Sequence, residues 1–205
     1  MRRLVAIAAL LLLSSSASFA QEAEAPDNSF GAWFFTEVNH DFKCGAYLTG
    51  YIEHDSYQFS RFDCVYGRLS AGWKLLPWLK AGINYIPLYD NSGWKHYYET
   101  DVVGTLKSGN FKVSVRERYR HCITSGSNEL RSRLKVAYSI PDSPFGVYLA
   151  PEVFTWGDKW KKTRHYVAGT WNVNSHIQLE AYYLYYAYNG APAEHFLGLG
   201  LNFDI

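Results

Sequence analysis

Apolar and polar residues alternate with a period of two in segment after segment of this sequence. In the last segment, Leu197, Leu199 and Leu201 fall on one face of a strand, whereas Gly198 and Gly200 fall on the other. Successive side chains of a strand point to opposite faces, so this spacing predicts strands with one apolar face and one small or polar face. Because the alternation recurs along the chain and a helical period is weak throughout, we predict an all-β fold.

The middle of the chain shows which kind of all-β fold is favoured. Val113 and Val115 share an apolar face, Arg116 and Arg118 occupy the opposite one, and the next segment repeats this arrangement. A soluble β-sandwich could explain the same alternation by turning its charged face to water, and a soluble periplasmic β-barrel carrier is the alternative function. Segments of about ten residues with Tyr and Trp near their ends are more typical of membrane-spanning strands. We therefore predict an antiparallel up-and-down transmembrane β-barrel of about 10 to 12 strands.

Composition narrows the choice of partners. Aromatic residues make up 18% of the chain, with 17 Tyr and 7 Trp, and both residue types are enriched where membrane meets water. The 20 basic and 19 acidic residues give a formal net charge of +1, which provides neither a polybasic surface nor an acidic tail. We expect outer-membrane lipid as a partner and no nucleic acid.

The connections between the predicted strands alternate in length. Short links are predicted at residues 42–44, 75–77, 108–110, 141–143 and 173–175, and longer polar ones at residues 55–60, 88–96, 123–129, 156–162 and 188–194. Tight turns on one rim and longer loops on the other are typical of an up-and-down barrel.

The N-terminus has the features of an export signal. Arg2 and Arg3 precede an apolar run, and Ser18 and Ala20 are small residues at the positions that a signal peptidase reads. We predict a cleaved secretory signal peptide at residues 1–20, a short extension at residues 21–29 and one barrel domain at residues 30–205. Export to the outer membrane implies the barrel-assembly machinery as a partner during biogenesis.

Cys44, Cys64 and Cys122 are the three cysteines of the chain. An odd number leaves at least one thiol unpaired, and no two of them have the spacing of metal ligands. We therefore predict no metal site, no cofactor and no catalytic cysteine.

Four arginines, two on each of two adjacent predicted strands, place several positive charges close together. Two interpretations of this cluster are open. In the first, the arginines form ion pairs with inward carboxylates and simply fill a narrow lumen. In the second, planar guanidinium groups bind a small anionic ligand or form a selective passage, because they match carboxylate and phosphate geometry. The candidate binding residues are Arg116, Arg118, Arg131, Arg133, Glu152 and Glu180.

A hydrolase is the alternative from a different class of function. His54 and Ser56 are two residues apart, so on a strand they would point the same way and could act as base and nucleophile. This arrangement is faintly similar to that of barrel esterases that remove acyl chains from outer-leaflet lipid. No obvious oxyanion donor, phosphate loop or zinc motif accompanies it. The favoured function is therefore a non-enzymatic barrel that serves as a narrow channel, a binding protein or a structural component of the envelope.

Several short motifs occur in a fixed order in the second half of the chain. They are Arg116-Glu117-Arg118-Tyr119, Leu130-Arg131-Ser132-Arg133-Leu134, Ser143-Pro144-Phe145, Lys162-Thr163-Arg164 and Glu194-His195-Phe196-Leu197-Gly198-Leu199-Gly200. As a set they resemble an exported bacterial family, domain of unknown function twenty-four-ninety, over roughly residues 30–205. The resemblance implies an outer-membrane β-barrel, and it implies no established activity, substrate or catalytic residue.

Overall fold

The computed structural model describes residues 29–156 and 159–205. The predicted signal peptide and almost all of the predicted extension lie outside the described residues and stay predictions. The strands are β1 (Ser29–Asp41), β2 (Ala46–Tyr57), β3 (Arg61–Leu76), β4 (Leu79–Asp90), β5 (Gly93–Ser108), β6 (Phe111–Cys122), β7 (Asn128–Ser139), β8 (Phe145–Trp156), β9 (Lys159–Asn172), β10 (Ile177–Tyr188) and β11 (Glu194–Asp204). No helix within the described residues is long and apolar enough to cross a membrane.

The strands close into a single barrel in chain order. Each strand pairs antiparallel with the next, and β1 closes the barrel by pairing in parallel with β11. Strand direction reverses at every turn, so in a barrel of eleven strands the first and the last run the same way. The predicted all-β barrel is confirmed, with this one parallel seam. We call the rim where β1 begins the N-terminal rim and the rim where β11 ends the C-terminal rim.

The predicted difference between short turns and long loops is wrong. The described connections at the N-terminal rim are residues 58–60, 91–92, 123–127 and 189–193, and those at the C-terminal rim are residues 42–45, 77–78, 109–110, 140–144 and 173–176. Polar residues that suggest loops belong to strands instead. Across the β4–β5 hairpin, for example, Lys95 pairs with Asp90 at 2.5 Å, so charged side chains continue the ladder at the rim.

The outward face of the barrel is apolar and exposed over its middle. Leu69, Ile83 and Leu106 are each about two-thirds exposed. A soluble β-protein buries such side chains, and soluble monomers rarely expose apolar patches of more than a few hundred Å². A closed barrel that leaves no strand edge and carries an apolar belt is suited to a bilayer, and this confirms the predicted transmembrane fold.

Exposed aromatic side chains lie near both ends of this apolar belt. Those near the C-terminal rim are Phe42, Trp73, Trp78, Phe111, Phe145 and Trp171, and those near the N-terminal rim are Phe30, Phe59, Tyr89, Trp94, Trp156 and Trp160. Some form ring pairs, such as Phe111 with Tyr138 and Tyr89 with Trp94. Aromatic girdles of this kind mark the two membrane interfaces of a transmembrane barrel.

The inside of the barrel is divided between aromatic packing and charge. An aromatic cluster centred on Trp33, Tyr182 and Phe196 occupies the side formed by β1 and β8 to β11. The Tyr182 ring lies against Gly198 of β11, where an added Cβ would overlap the ring. The absence of a side chain at Gly198 therefore lets a wide ring fill the lumen on this side. Charged residues face the same interior from strands between β1 and β10.

Candidate functional site

The lumen contains a cavity of about 500 Å³, which we call the lumenal cavity. Ten basic and five acidic side chains line it: Arg68, Arg116, Arg118, Arg120, Arg131, Arg133, Lys135, Lys161, Lys162 and Arg164, with Glu37, Glu53, Asp55, Glu129 and Glu180. Strand alternation explains their common orientation, because the inward positions of β6 and β7 are the arginine positions of the sequence pattern. Buried charges in such a space are costly unless they are paired.

Glu152 is the centre of one group of ion pairs. This carboxylate is fully buried and accepts from Arg116 Nη2 at 2.8 Å, Arg131 Nε at 3.2 Å and Arg164 Nη2 at 2.6 Å. Arg164 is its direct cross-strand neighbour on β9, whereas Arg116 reaches it from β6. One carboxylate therefore holds three guanidinium groups together, which satisfies Glu152 and leaves an excess of positive charge.

Glu99 is the centre of a second group. It lies 3.0 Å from Arg118, 2.6 Å from Arg120 and 3.4 Å from Arg131. Arg118 also pairs with Asp101 at 2.5 Å. Arg131 contacts both Glu99 and Glu152, so the two groups form one continuous network across β5 to β9. Charge-assisted bonds of this kind fix the guanidinium planes in place.

Five of the ten basic residues of the lumenal cavity lie outside this network: Arg68, which pairs with Glu37, the exposed Lys161, and Arg133, Lys135 and Lys162. Arg133, Lys135 and Lys162 form no ion pair with any carboxylate in the described part of the chain. The Nε of Arg133 is buried without a hydrogen-bond partner. Lys135 Nζ instead lies 3.5 Å from the centre of the Tyr148 ring, and Lys162 Nζ lies 4.7 Å from that of Tyr186. Their positive charge is therefore available to a ligand.

The structure brings together most, but not all, of the predicted binding residues. Arg116, Arg118, Arg131 and Glu152 belong to the ion-pair network. Arg133 lies opposite Glu152 in the β7–β8 register, yet it forms no ion pair with a described residue. Glu180 also stands apart from the arginines, because its carboxylate accepts a hydrogen bond from the Tyr148 hydroxyl.

Glu99 and Arg164 complete the network; the sequence pattern predicts both as inward-facing charges but does not mark them as candidate binding residues. Both are one half of a cross-strand pair of opposite charge: Glu99 faces Arg120, and Arg164 faces Glu152. Such pairs are a common stabilising unit of sheets. They become visible only when the strand register is known, because the partners are separated in the sequence by a hairpin of variable length.

The predicted hydrolase pair is not assembled. The Ser56 hydroxyl donates to the backbone carbonyl of Ala32 at 3.3 Å, and the His54 ring lies beside the ring of Phe62. No hydrogen bond between His54 and Ser56 is found in the described structure. A base and nucleophile need hydrogen-bond contact, so this geometry gives no support to the hydrolase.

The solved structures similar to this fold include two proteins named as porins. The NanC porin is 15% identical in sequence, with a TM-score of 0.59 over 85% of this chain and 98% of its own. The KdgM porin in complex with disordered oligogalacturonate is 12% identical, with a TM-score of 0.53 over 75% of this chain and 82% of its own. At such low identity the likeness establishes the barrel fold alone.

Sequence comparison identifies the family. No curated protein matches the chain. A family model described as "Protein of unknown function (DUF2490)" matches residues 30–195, which span nearly the whole barrel. The resemblance carried by the ordered motifs is thereby confirmed. Because the match covers most of the sequence, the protein belongs to the DUF2490 family.

Proposed function

We propose that this protein is an outer-membrane channel whose lumenal cavity admits small anionic solutes. The observation that carries the proposal is the unneutralised positive charge of Arg133, Lys135 and Lys162 within a lumen whose other arginines are held by carboxylates. Fixed arginines and unpaired cations together make a positive potential that attracts anions and repels cations. Carboxylates and phosphates are the solutes that guanidinium groups recognise best.

Negative charge on the wall opposite the β7 arginines supports a passage with an electric field across the lumen. Glu53 and Asp55 of β2 also line the lumenal cavity. Four strands separate β2 from β7 in one direction around the barrel and five in the other, so these carboxylates face the β7 arginines across the lumen. An anionic solute is therefore drawn to the wall formed by β6 to β9.

The similar porins support the same proposal. Both are named as porins, and the KdgM porin was solved in complex with oligogalacturonate, which is a carboxylate. An anionic ligand for the present protein agrees with that chemistry. Aromatic side chains such as Phe35 and Tyr182 also line the lumenal cavity and provide apolar contact area for a bulky organic anion such as an acidic sugar.

Ion selectivity tests the proposal directly. In planar bilayers under a salt gradient, the wild-type protein is expected to give a reversal potential of anion-selective sign. Replacing Arg133→Gln together with Lys135→Gln should shift that potential towards cation selectivity. The control is Lys74→Gln, because Lys74 is half exposed outside the lumenal cavity, where it pairs with Asp41. The absence of conductance in the wild type, or a double variant with the wild-type reversal potential, would refute the channel.

The membrane location is tested separately. We expect the protein in the outer-membrane fraction, with a gel mobility that differs between unheated and boiled samples. Recovery from the soluble periplasm with no such difference would contradict the proposal and favour the soluble carrier.

A binding barrel without conductance is the second candidate. The aromatic cluster around Trp33 fills much of one side of the lumen, which favours a closed site over an open pore. Trp33 also lines the lumenal cavity. Addition of galacturonate should then change tryptophan fluorescence in the wild type, and Trp33→Phe should lose that change, while bilayers show no current.

A further inference from the structure

A second cluster of charged and nucleophilic side chains lies on the opposite wall, near the N-terminal rim. It belongs to the β2–β3 hairpin, where Asp55 is the direct cross-strand partner of Cys64. The next pair in the ladder joins Ser56 to Phe62, so Asp63 is an extra residue in a β-bulge. A bulge re-aims a side chain that regular alternation would send to the other face.

The bulge brings three ligand-type side chains together. A carboxylate oxygen of Asp55, a carboxylate oxygen of Asp63 and the sulfur of Cys64 all lie within 4.8 Å of one another. The Cys64 thiol donates to Asp55 Oδ2 at 3.2 Å. Asp63 is exposed and Cys64 is partly exposed, so a solute can reach the cluster from the rim. In regular alternation, neighbours such as Asp63 and Cys64 would not share a face.

The second oxygen of Asp55 indicates that a cation belongs here. Asp55 is only 9% exposed, and its Oδ1 is buried without a hydrogen-bond partner. None of the ion pairs between described residues includes Asp55, Asp63 or the neighbouring Glu53. Buried carboxylates are normally paired with a cation or coordinate a metal, and this one has neither a basic partner nor a complete set of donors.

We propose that Asp55, Asp63 and Cys64 bind a divalent transition-metal ion such as Zn²⁺. Binding replaces the Cys64 proton, which is released to solvent, and it engages the free oxygen of Asp55. A thiolate with two carboxylates favours Zn²⁺ over Ca²⁺ or Mg²⁺, which prefer oxygen ligands alone. Three protein ligands leave a fourth tetrahedral position for water. The ion would also neutralise the concentration of negative charge on this wall.

The spacing of these residues along the chain gives no metal motif. Asp55 and Cys64 are nine positions apart across a hairpin, and the adjacent residues Asp63 and Cys64 share a face only because of the bulge. No residue of the β5–β9 ion-pair network takes part in the site, and the channel proposal is carried by Arg133, Lys135 and Lys162; Asp55 is the one residue on which both proposals draw. The failure of either proposal therefore leaves the other intact.

Cobalt spectroscopy tests the site. The full-length barrel is purified in detergent without a polyhistidine tag, stripped with chelator and titrated with Co²⁺. We expect one equivalent to bind with a sulfur-to-cobalt charge-transfer band, and Zn²⁺ to displace it. Cys64→Ser should abolish that band. Asp63→Asn should weaken Co²⁺ binding by about tenfold or more, because substitution of a residue that only hydrogen-bonds to a metal ligand already lowers metal affinity by about tenfold.

Cys44→Ser is the matched control, because Cys44 is an exposed free thiol in the β1–β2 turn at the other rim. This variant should keep the wild-type spectrum. No Co²⁺ binding by the wild type, or an unchanged charge-transfer band in Cys64→Ser, would overturn the proposal.

Thiol protection tests the site without any variant, so a folding defect cannot obscure the result. Folded wild-type protein is treated with iodoacetamide with and without Zn²⁺, and modification of each cysteine is read by peptide mass spectrometry. Zn²⁺ should protect Cys64 and leave the modification of Cys44 unchanged. Equal modification of Cys64 in both conditions would overturn the proposal.

Discussion

Two glutamates, Glu152 on the inner face of the barrel and Glu117 on its outer face, have different roles. Glu152 lies inside, is fully buried and holds three arginines. Glu117 lies outside, near the middle of β6, where it is exposed and accepts a hydrogen bond from Ser132 of β7 at 2.6 Å. The same functional group therefore neutralises a buried network in one place and faces the apolar belt in the other.

This contrast predicts different costs for the same substitution. Glu152→Gln removes the shared anion and leaves three guanidinium groups without it, so we expect a loss of about 3–5 kcal/mol in the free energy of unfolding. Glu117→Gln is the matched control and should change the free energy of unfolding by no more than about 0.5 kcal/mol. Urea unfolding in detergent, followed by gel mobility, measures both. Equal losses in the two variants would contradict the central role of Glu152.

Residue-level predictions from the sequence succeeded where alternation alone decides the answer. The inward placement of Arg116, Arg118 and Arg131 follows from the period of two. The partners do not follow from it, because they depend on register: Glu180 was expected among the arginines, but the Tyr148 hydroxyl occupies its carboxylate. The contact of Asp55 with Cys64 also depends on a register that a bulge has shifted.

At the scale of single elements, β11 is shaped to receive aromatic rings from its neighbours. Gly198 lies beneath Tyr182 of β10, and Gly200 lies beneath Phe35 of β1. The Tyr182 hydroxyl also donates to the backbone carbonyl of Trp33 at 3.0 Å, which fixes the ring over the strand. The small residues on the inward face of β11 are therefore part of the packing.

The packing predicts a position-specific effect of adding one methyl group. Gly198→Ala should lower the free energy of unfolding by about 1–3 kcal/mol, because a Cβ there overlaps the Tyr182 ring and forces it to move. Gly169→Ala on β9 is the control, since nothing lies within 4 Å of a Cβ at that position. Denaturant midpoints of the folded barrel compare the two, and a Gly198→Ala variant as stable as Gly169→Ala would contradict the packing role.

The sequence predicts the presence of the strands better than the positions at which they begin and end. Alternation marks the strands, because one face must meet lipid and the other the lumen. It does not mark the turns: residues 91–96 contain Asn91, Ser92 and Lys95, which suggest a loop, but a two-residue turn suffices and β5 begins at Gly93. At a water-exposed rim, polar side chains are compatible with either structure, so composition does not separate them.

At the scale of the whole molecule, the parallel seam places the two ends of the barrel at opposite rims. β1 begins where β11 begins, so the start of the barrel lies at the N-terminal rim and its end at the C-terminal rim. The β1–β2 turn, which contains Cys44, and the β4–β5 turn, which contains Ser92, therefore lie on different sides of the membrane.

Sided labelling checks this topology. In intact cells, a membrane-impermeant maleimide should modify only one of two single-thiol forms: a protein that keeps native Cys44 alone, or one that has Ser92→Cys and no other cysteine. Permeabilised cells should allow both to react, which serves as the control. Modification of both forms in intact cells would contradict the opposite placement of the two rims.

The excess of positive charge also predicts how selectivity depends on salt. The Debye length falls from about 10 Å at 0.1 M to about 3 Å at 1 M, so the attraction of the lumen for anions should weaken over that range. Reversal potentials measured at a constant salt ratio but rising total concentration should approach zero. Selectivity that is unchanged by concentration would indicate that pore size, and not charge, discriminates between ions.

The odd number of strands has a consequence for how such a barrel can arise. Duplication or loss of a β-hairpin changes the number of strands by two and therefore keeps an even barrel even. Bacterial single-chain barrels ordinarily have even numbers. An ancestor of that kind could give rise to the barrel of eleven strands only by gaining or losing an odd number of strands, and the new closure would have to pair two strands of the same polarity. The parallel pairing of β1 with β11 then marks the position at which the barrel closed after that change.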